Sequence, residues 1–158
     1  MEKTDYLKLL KTLEDQEKDL QFSEFTNEMG LEIGLNILAK ARQESKTVAI
    51  DITRSGHQLF HYSMTGTNPD NDQWILGKNK VVTHFQKSSF QVATLLKSKG
   101  ETMEGEYFIS SFEYRPAGGA FPIIIKNVGV VGTITVSGLP DHEDHALVVT
   151  VIKDYLTK

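Results

Sequence analysis

At 158 residues, with 39% hydrophobic and 24% charged side chains, the chain lies in the globular range. A single domain of that length buries roughly 70% of its unfolded surface. A formal net charge of −4 without a basic stripe argues against general nucleic-acid binding, which needs clustered Lys and Arg to displace counterions. The absence of cysteine excludes disulfides, zinc–thiolate sites, iron–sulfur clusters and cysteine nucleophiles.

The first segment, MEKTDYLKLLKTLEDQEKDL, is charged throughout and lacks the apolar stretch of a signal peptide. No run approaches the ~20 apolar residues of a membrane span. A cytoplasmic protein without membrane association is expected, as one domain over residues 1–158 with an N-terminal helix at about 3–20. Within that helix Tyr6, Leu7, Leu10, Leu13 and Leu20 recur at near-helical spacing. Phe22 breaks the pattern, and Ser23 or Thr26 can cap a second helix running to about Gln43. Its stripe is Phe25, Met29, Ile33, Ile37, Leu38 and Ala41. Gly30 and Gly34 lie beside the stripe and permit close approach of a strand or another helix.

From Thr47 the period changes to two, with Val48, Ile50 and Ile52 alternating with Ala49 and Asp51. Gln58 to Met64 is a second extended run, and Thr53-Arg54-Ser55-Gly56 carries the turn residues of a hairpin. The polar loop Thr65 to Asp72 is rich in turn formers and caps. It leads into a helix starting near Asp72 that carries Trp74, Lys78, Val81 and Phe85 on one face. A further helix spans about Ser88 to Lys99. Gly100 to Gly105 is a polar break, and Tyr107 to Phe112 reads equally as short helix or strand. After Pro116-Ala117-Gly118-Gly119 come strands at Phe121–Ile125 and Val128–Val136, then a last helix from Pro140 to Leu156. That helix is apolar most of the way round, so it must be covered on two sides, by its own sheet and helices or by a subunit partner. Helices, a hairpin, helices, two or three strands and a helix predict an α+β fold, an antiparallel sheet with helices on both faces. A doubly wound parallel sheet would need a strict strand–helix alternation that is absent.

The start of the last helix admits two readings. Asp141, Glu143 and Asp144 suit a helix N-terminus, where carboxylates meet free N–H groups and the dipole. The amides of Ser137 and Gly138 could equally line an anion pocket there. His142 and His145 supply too few ligands for zinc or iron, so no metal site is expected. His57 and His61 share one face of a strand but stand about 13 Å apart at ~3.3 Å per residue, too far to share a metal ion. Each remains a candidate acid/base. Lys78 beside Trp74 on an otherwise apolar stripe needs a partner or a route to solvent; together they could form the cationic end and aromatic wall of a pocket. Gly118-Gly119 permits close ligand approach or simply a turn. Gly129-Val-Val-Gly132 lacks a nucleotide-binding pattern, and Ser137 lacks a GxSxG elbow.

Arg54-Ser-Gly-His57 with Leu59-Phe60-His61, Trp74 through Lys78, Gly118-Gly119-Ala-Phe121-Pro122 and Val128 through Pro140 with Asp144-His145 together resemble the GlcG/HbpS-like family. This is the haem-degrading domain, and the resemblance is to its small UPF-type branch, over about Glu24 to Tyr155. The resemblance implies a profilin-like fold of α-β-α layers with about five antiparallel strands, and homo-oligomers of dimers or higher order. It implies binding or breakdown of haem, with axial ligation from His57, His61, His84, His145 or a tyrosine such as Tyr107. It places a ligand pocket at Arg54, His57, Trp74, Lys78, Gly118, Gly119, Ser137 and His145. There Arg54 and Lys78 hold an anionic group, Trp74 stacks, and His57 or His145 is the acid/base if there is turnover. The expectation is an oligomeric binding module for a small anionic ligand, with haem a candidate. A haem-degrading or related enzyme and a structural or adaptor oligomer are the alternatives.

Overall fold

A computed structural model of all 158 residues contains six helices and four strands. In chain order they are α1 (Lys3–Asp19), α2 (Asn27–Gln43), β1 (Ala49–Arg54), β2 (His57–Ser63), α3 (Pro69–Phe85), α4 (Ser89–Lys99), α5 (Met103–Tyr107), β3 (Ala120–Ile125), β4 (Gly129–Ser137) and α6 (Asp141–Leu156). The strands form one antiparallel sheet in the order β2-β1-β4-β3, one strand fewer than the expected five. Two observations account for the difference. Tyr107 to Phe112 closes the short helix α5 and a turn, with Phe108 left-handed at φ 59°. Beyond β3 a further strand is reduced to one residue, Phe22, whose N–H donates to the Ile124 carbonyl at 2.8 Å while its own carbonyl accepts from Lys126 N–H.

The hairpin β1–β2 turns on two residues, Ser55 (φ 52°) and Gly56 (φ 78°), the doubly left-handed turn whose twist matches paired strands. Alternation then gives the sheet two unlike faces. Val48, Ile50, Ile52, Phe121, Ile123, Ile134 and Val136 join Ile33, Ile37 and Ala41 of α2 and Leu147, Val148 and Ile152 of α6 in the main core. Ala49, Asp51 and Thr53 stand opposite Ser137, Thr135 and Thr133 in the register of β1 on β4. This second, polar face lies under α3 and is buried as well. Helix α3 begins at Pro69, three residues before the expected start. Asn68 accepts from Asp70 N–H while its own N–H donates to Asn71 Oδ1, and proline at the first turn needs no N–H partner.

Helix α6 packs on α2, on β3 and β4, and on α4, so its all-round apolar character is satisfied within the chain. Helix α1 lies on α4, and a small second core of Val81, Val92, Leu96 and Met103 sits between α3 and α4. No helix is long and apolar enough to cross a membrane.

The two glycines of α2 work as their spacing suggests, against strand β2. A Cβ on Gly34 would stand 2.5 Å from the Phe60 ring, and one on Gly30 would stand 3.1 Å from Leu59. Gly34→Ala is therefore expected to destabilise the fold by about 1–3 kcal/mol in urea unfolding, the usual cost of overpacking, despite alanine's better helix propensity. Gly30→Ala should cost less.

Candidate functional site

The residues that converge most tightly lie where β4 ends and α6 begins. Gly138 turns the chain at φ 143°, and a Cβ there would press on the Thr47 carbonyl. Lys78 reaches this junction from the middle of α3. Its Nζ donates to the Val136 carbonyl at 3.0 Å and to Asp144 Oδ2 at 3.0 Å. Both side chains of this ion pair are buried, 3% and 2% exposed. The other carboxylate oxygen, Oδ1, accepts the Leu139 N–H at 3.0 Å, so Asp144 both caps its own turn and holds the lysine. Burial pushes the Asp144 carboxyl up to about 6, against the pull of Lys78. Burial likewise lowers the Lys78 ammonium, against the pull of Asp144.

Beside this pair is a pocket of about 290 Å³, walled by Asn71, Trp74, Ala117, Ser137 and Gly138, with Lys78 and the carboxylates of Asp70, Asp141 and Asp144 on it. Asn71 Nδ2 donates to Ser137 Oγ at 3.4 Å, which leaves the serine hydroxyl proton free to donate. The outer part of Trp74 carries the Arg115 guanidinium at 4.6 Å from the ring centroid.

Of the residues expected to form one pocket, Trp74, Lys78 and Ser137 are together here. Gly118 and Gly119 lie behind the pocket rather than on it. A Cβ on Gly118 would collide with the Asp141 carbonyl, and one on Gly119 would stand 2.6 Å from Lys78 Nζ. Their smallness lets the turn close over the ion pair, and Gly118 N–H donates to Asp141 Oδ2. His145 is buried, with Nε2 2.8 Å from Gln16 Oε1 and its ring against Phe90 and Phe121. Its Nδ1 has no partner, and burial lowers it to about 4. In this position it faces the interior rather than the pocket.

Arg54 and His57 do not join the pocket. Arg54 pairs with Gly132, while Ala49 pairs with Ser137; five residues of strand separate them, about 17 Å. Arg54 instead donates to the Phe25 carbonyl at 2.8 Å, and His57 is exposed at the hairpin. Gly132 owes its identity to this same crossing, since a Cβ there would collide with the Thr53 carbonyl.

A second concavity lies elsewhere on the polar face. A cleft of about 810 Å³ opens between α3 and the β1–β2 half of the polar face, with Asp51, Gln58, Asn79, Lys80, His84 and Tyr114 among its walls. Asp51, 3% exposed, accepts from Thr53 Oγ1 (2.8 Å), Gln58 Nε2 (2.7 Å) and Asn79 Nδ2 (3.4 Å), and its Oδ1 lies 3.0 Å from His61 Nδ1. The signal for it was a carboxylate placed between Ile50 and Ile52, a position that alternation sends to the other face.

The family model described as "Haem degrading protein HbpS-like" matches residues 25–153. UPF0303 protein SCO2848 of Streptomyces coelicolor is 42% identical over 144 residues, 91% of this chain and 91% of its own length. Among solved structures, that of the Ybr137w protein superposes with a TM-score of 0.87 at 34% identity, covering 94% of this chain and 87% of that one. A PduOC:Heme complex shares the fold at TM-score 0.64 and 14% identity, over 77% of this chain and 87% of that one.

Removing one partner of the buried pair strands the other charge, at about 3–5 kcal/mol. Lys78→Met should show that loss in urea unfolding at pH 8 and a smaller one at pH 5. Asp144, already raised, becomes protonated in the folded variant below its elevated pKa, and the stability so retained disappears as pH rises through it. His145 has the opposite sign. Its folded value lies below its unfolded one, so it contributes stability above about 6.5 that is lost as pH falls towards about 4. The stability of the natural chain relative to His145→Gln should therefore fall by about 3 kcal/mol between pH 7 and pH 4.

Proposed function

The chain belongs to the HbpS-like haem degrading protein family, and from that membership we propose that it is a cytoplasmic, homo-oligomeric binding module for a small ligand carrying one carboxylate or carbonyl, held in the Lys78 pocket. The observation that carries this reading is the buried ammonium on the pocket wall. It has three N–H donors and two protein acceptors, Val136 O and Asp144 Oδ2, so one donor is left for a ligand oxygen. Ser137 and Asn71 add polar contacts and Trp74 a flat wall. Asp70, Asp141 and Asp144 outnumber Lys78 on the walls, so the pocket disfavours polyanions and suits a carbonyl or at most a monoanion. The volume, about 290 Å³, stands at the small end of the ~300–1,000 Å³ of ligand pockets. Exposed Phe108 and Phe112 provide apolar surface that self-assembly would cover.

Haem is a second reading, at the wider cleft. The Lys78 pocket, small and acidic, does not fit a porphyrin. The cleft, at about 810 Å³, offers the imidazole of His84 as an iron ligand, Leu76 and Tyr114 as apolar contacts and Lys80 as a partner for a propionate. Haem bound there would supply redox-active iron; the residues of this chain would hold and orient it. The haem complex of a structural relative supports the reading.

Trp74 is the only tryptophan and lines the pocket, so its fluorescence reports occupancy. Titration with pyruvate should give a saturable change that Ala117→Leu, which fills the pocket mouth, weakens on the order of tenfold or more, about 1.4 kcal/mol. An affinity unchanged by Ala117→Leu would remove the pocket as the site. In a parallel haem titration a Soret shift should be lost in His84→Ala and kept in Ala117→Leu; a shift kept in both would detach haem from the cleft.

A further inference from the structure

We propose that Lys78 captures its ligand covalently, condensing with an aldehyde or ketone in the pocket to form a protonated Schiff base beside Asp144. The inference rests on the reading that this pocket holds the ligand, and narrows the ligand class to carbonyl compounds, small 2-oxo acids included.

The geometry of Nζ points to it. Around that nitrogen, one direction is taken by its own Cε, one by Val136 O and one by Asp144 Oδ2, both at 3.0 Å. The fourth belongs to the third N–H of the ammonium or, in the neutral amine, to the lone pair. Once the proton in the Nζ–Oδ2 hydrogen bond has passed to Asp144, rotation about Cε–Nζ puts the two remaining N–H groups on Val136 O and Asp144 Oδ2 and turns the lone pair to the fourth position. Lys78 lines the pocket, so a ligand carbonyl there can meet that position. The absence of a side chain at Gly119 leaves room beside the amine, since a Cβ there would stand 2.6 Å from Nζ.

A proton acceptor is in place as well. Asp144 is within hydrogen-bonding distance, and burial draws the ammonium down and the carboxyl up, so passage of the proton between them is not steep. In the first step the ammonium proton passes to Asp144 and the amine lone pair attacks the carbonyl carbon. The C–N bond forms as the C=O π bond breaks, and the oxygen takes a proton to give a carbinolamine. Asp144 then protonates the departing hydroxyl, water leaves, and the nitrogen lone pair forms the C=N bond. Ammonium and carbonyl become iminium and water, with no change of oxidation state and no co-reactant. The positive iminium remains next to the ionised Asp144, as the ammonium did. Ser137 Oγ and Asn71 stand on the same wall to hold the ligand's other oxygens.

The test is reductive trapping. The intact protein is incubated at pH 7 with pyruvate, glyoxylate or acetaldehyde, with and without sodium cyanoborohydride, and digested for peptide mass mapping. A reductant-dependent adduct at Lys78, on the order of tenfold above that at exposed lysines such as Lys11, is expected. It should be lost in Ala117→Leu and absent from the corresponding peptide of Lys78→Arg, both checked for native circular dichroism. Adducts confined to exposed lysines, while pyruvate still saturates the Trp74 fluorescence change, would overturn the Schiff base and leave the binding reading standing. Adducts confined to exposed lysines with no fluorescence change for any of the three would overturn both.

Discussion

The ion pair between Lys78 and Asp144 sets terms that several other parts of the chain must meet. Two opposite charges removed from water are tolerable only with close contact and their remaining valences filled. Helix α3 must therefore cross the end of β4 at the height of Val136, whose carbonyl takes a second lysine proton. The turn into α6 must bring Leu139 N–H to the carboxylate. The strand entering from the other side must pass so close that residues 118 and 119 can carry no side chain. Three segments distant in sequence are fixed by one interaction of about 3.0 Å, and the pocket is the space they fail to fill.

The sheet divides the labour between its faces. Apolar side chains on one face, under α2 and α6, form the continuous core that gives the fold its stability. The face under α3 is built instead from polar residues, of which Thr135, Ser137 and Asp51 are bonded to Asn79 and Asn71 of the helix. Buried polar groups of this kind hold geometry when every member is satisfied. Both concavities open on this face, at opposite ends of α3, because a helix laid over a twisted sheet covers its diagonal and leaves two corners uncovered.

Much of the fold was legible from periodicity, since alternation and helical spacing are direct consequences of backbone geometry. The hairpin, the glycines of α2 facing β2, and Lys78 as a cation in need of a partner were all readable. The partner was not. A carboxylate in the first turn of a helix is fully explained by the dipole and the free N–H groups there, and nothing in the position of Asp144 announces that its second oxygen faces another helix. The family resemblance places Arg54 and His57 in the pocket. The register of β1 on β4 sends them to the other end of the sheet. His145, which the same resemblance places in the pocket, is turned by one residue of helical rotation from Asp144 to the interior. The strand count fell short because the outermost strand exists only as the Phe22 bridge, too short for any period to register.

Strand β4 lies at the centre of the sheet, yet it is the last strand in the chain. The hairpin β1–β2, helix α2 and strand β3 precede it, and the main core they share closes only once residues 129–137 are present. During synthesis, an emerging chain would thus expose an unfinished apolar sheet until residues 129–137 had left the ribosome. Completion of the core and completion of the pocket then become a single event, supplied by β4 and α6. A chain truncated within β4 would lose both at once and become a substrate for chaperones and proteases.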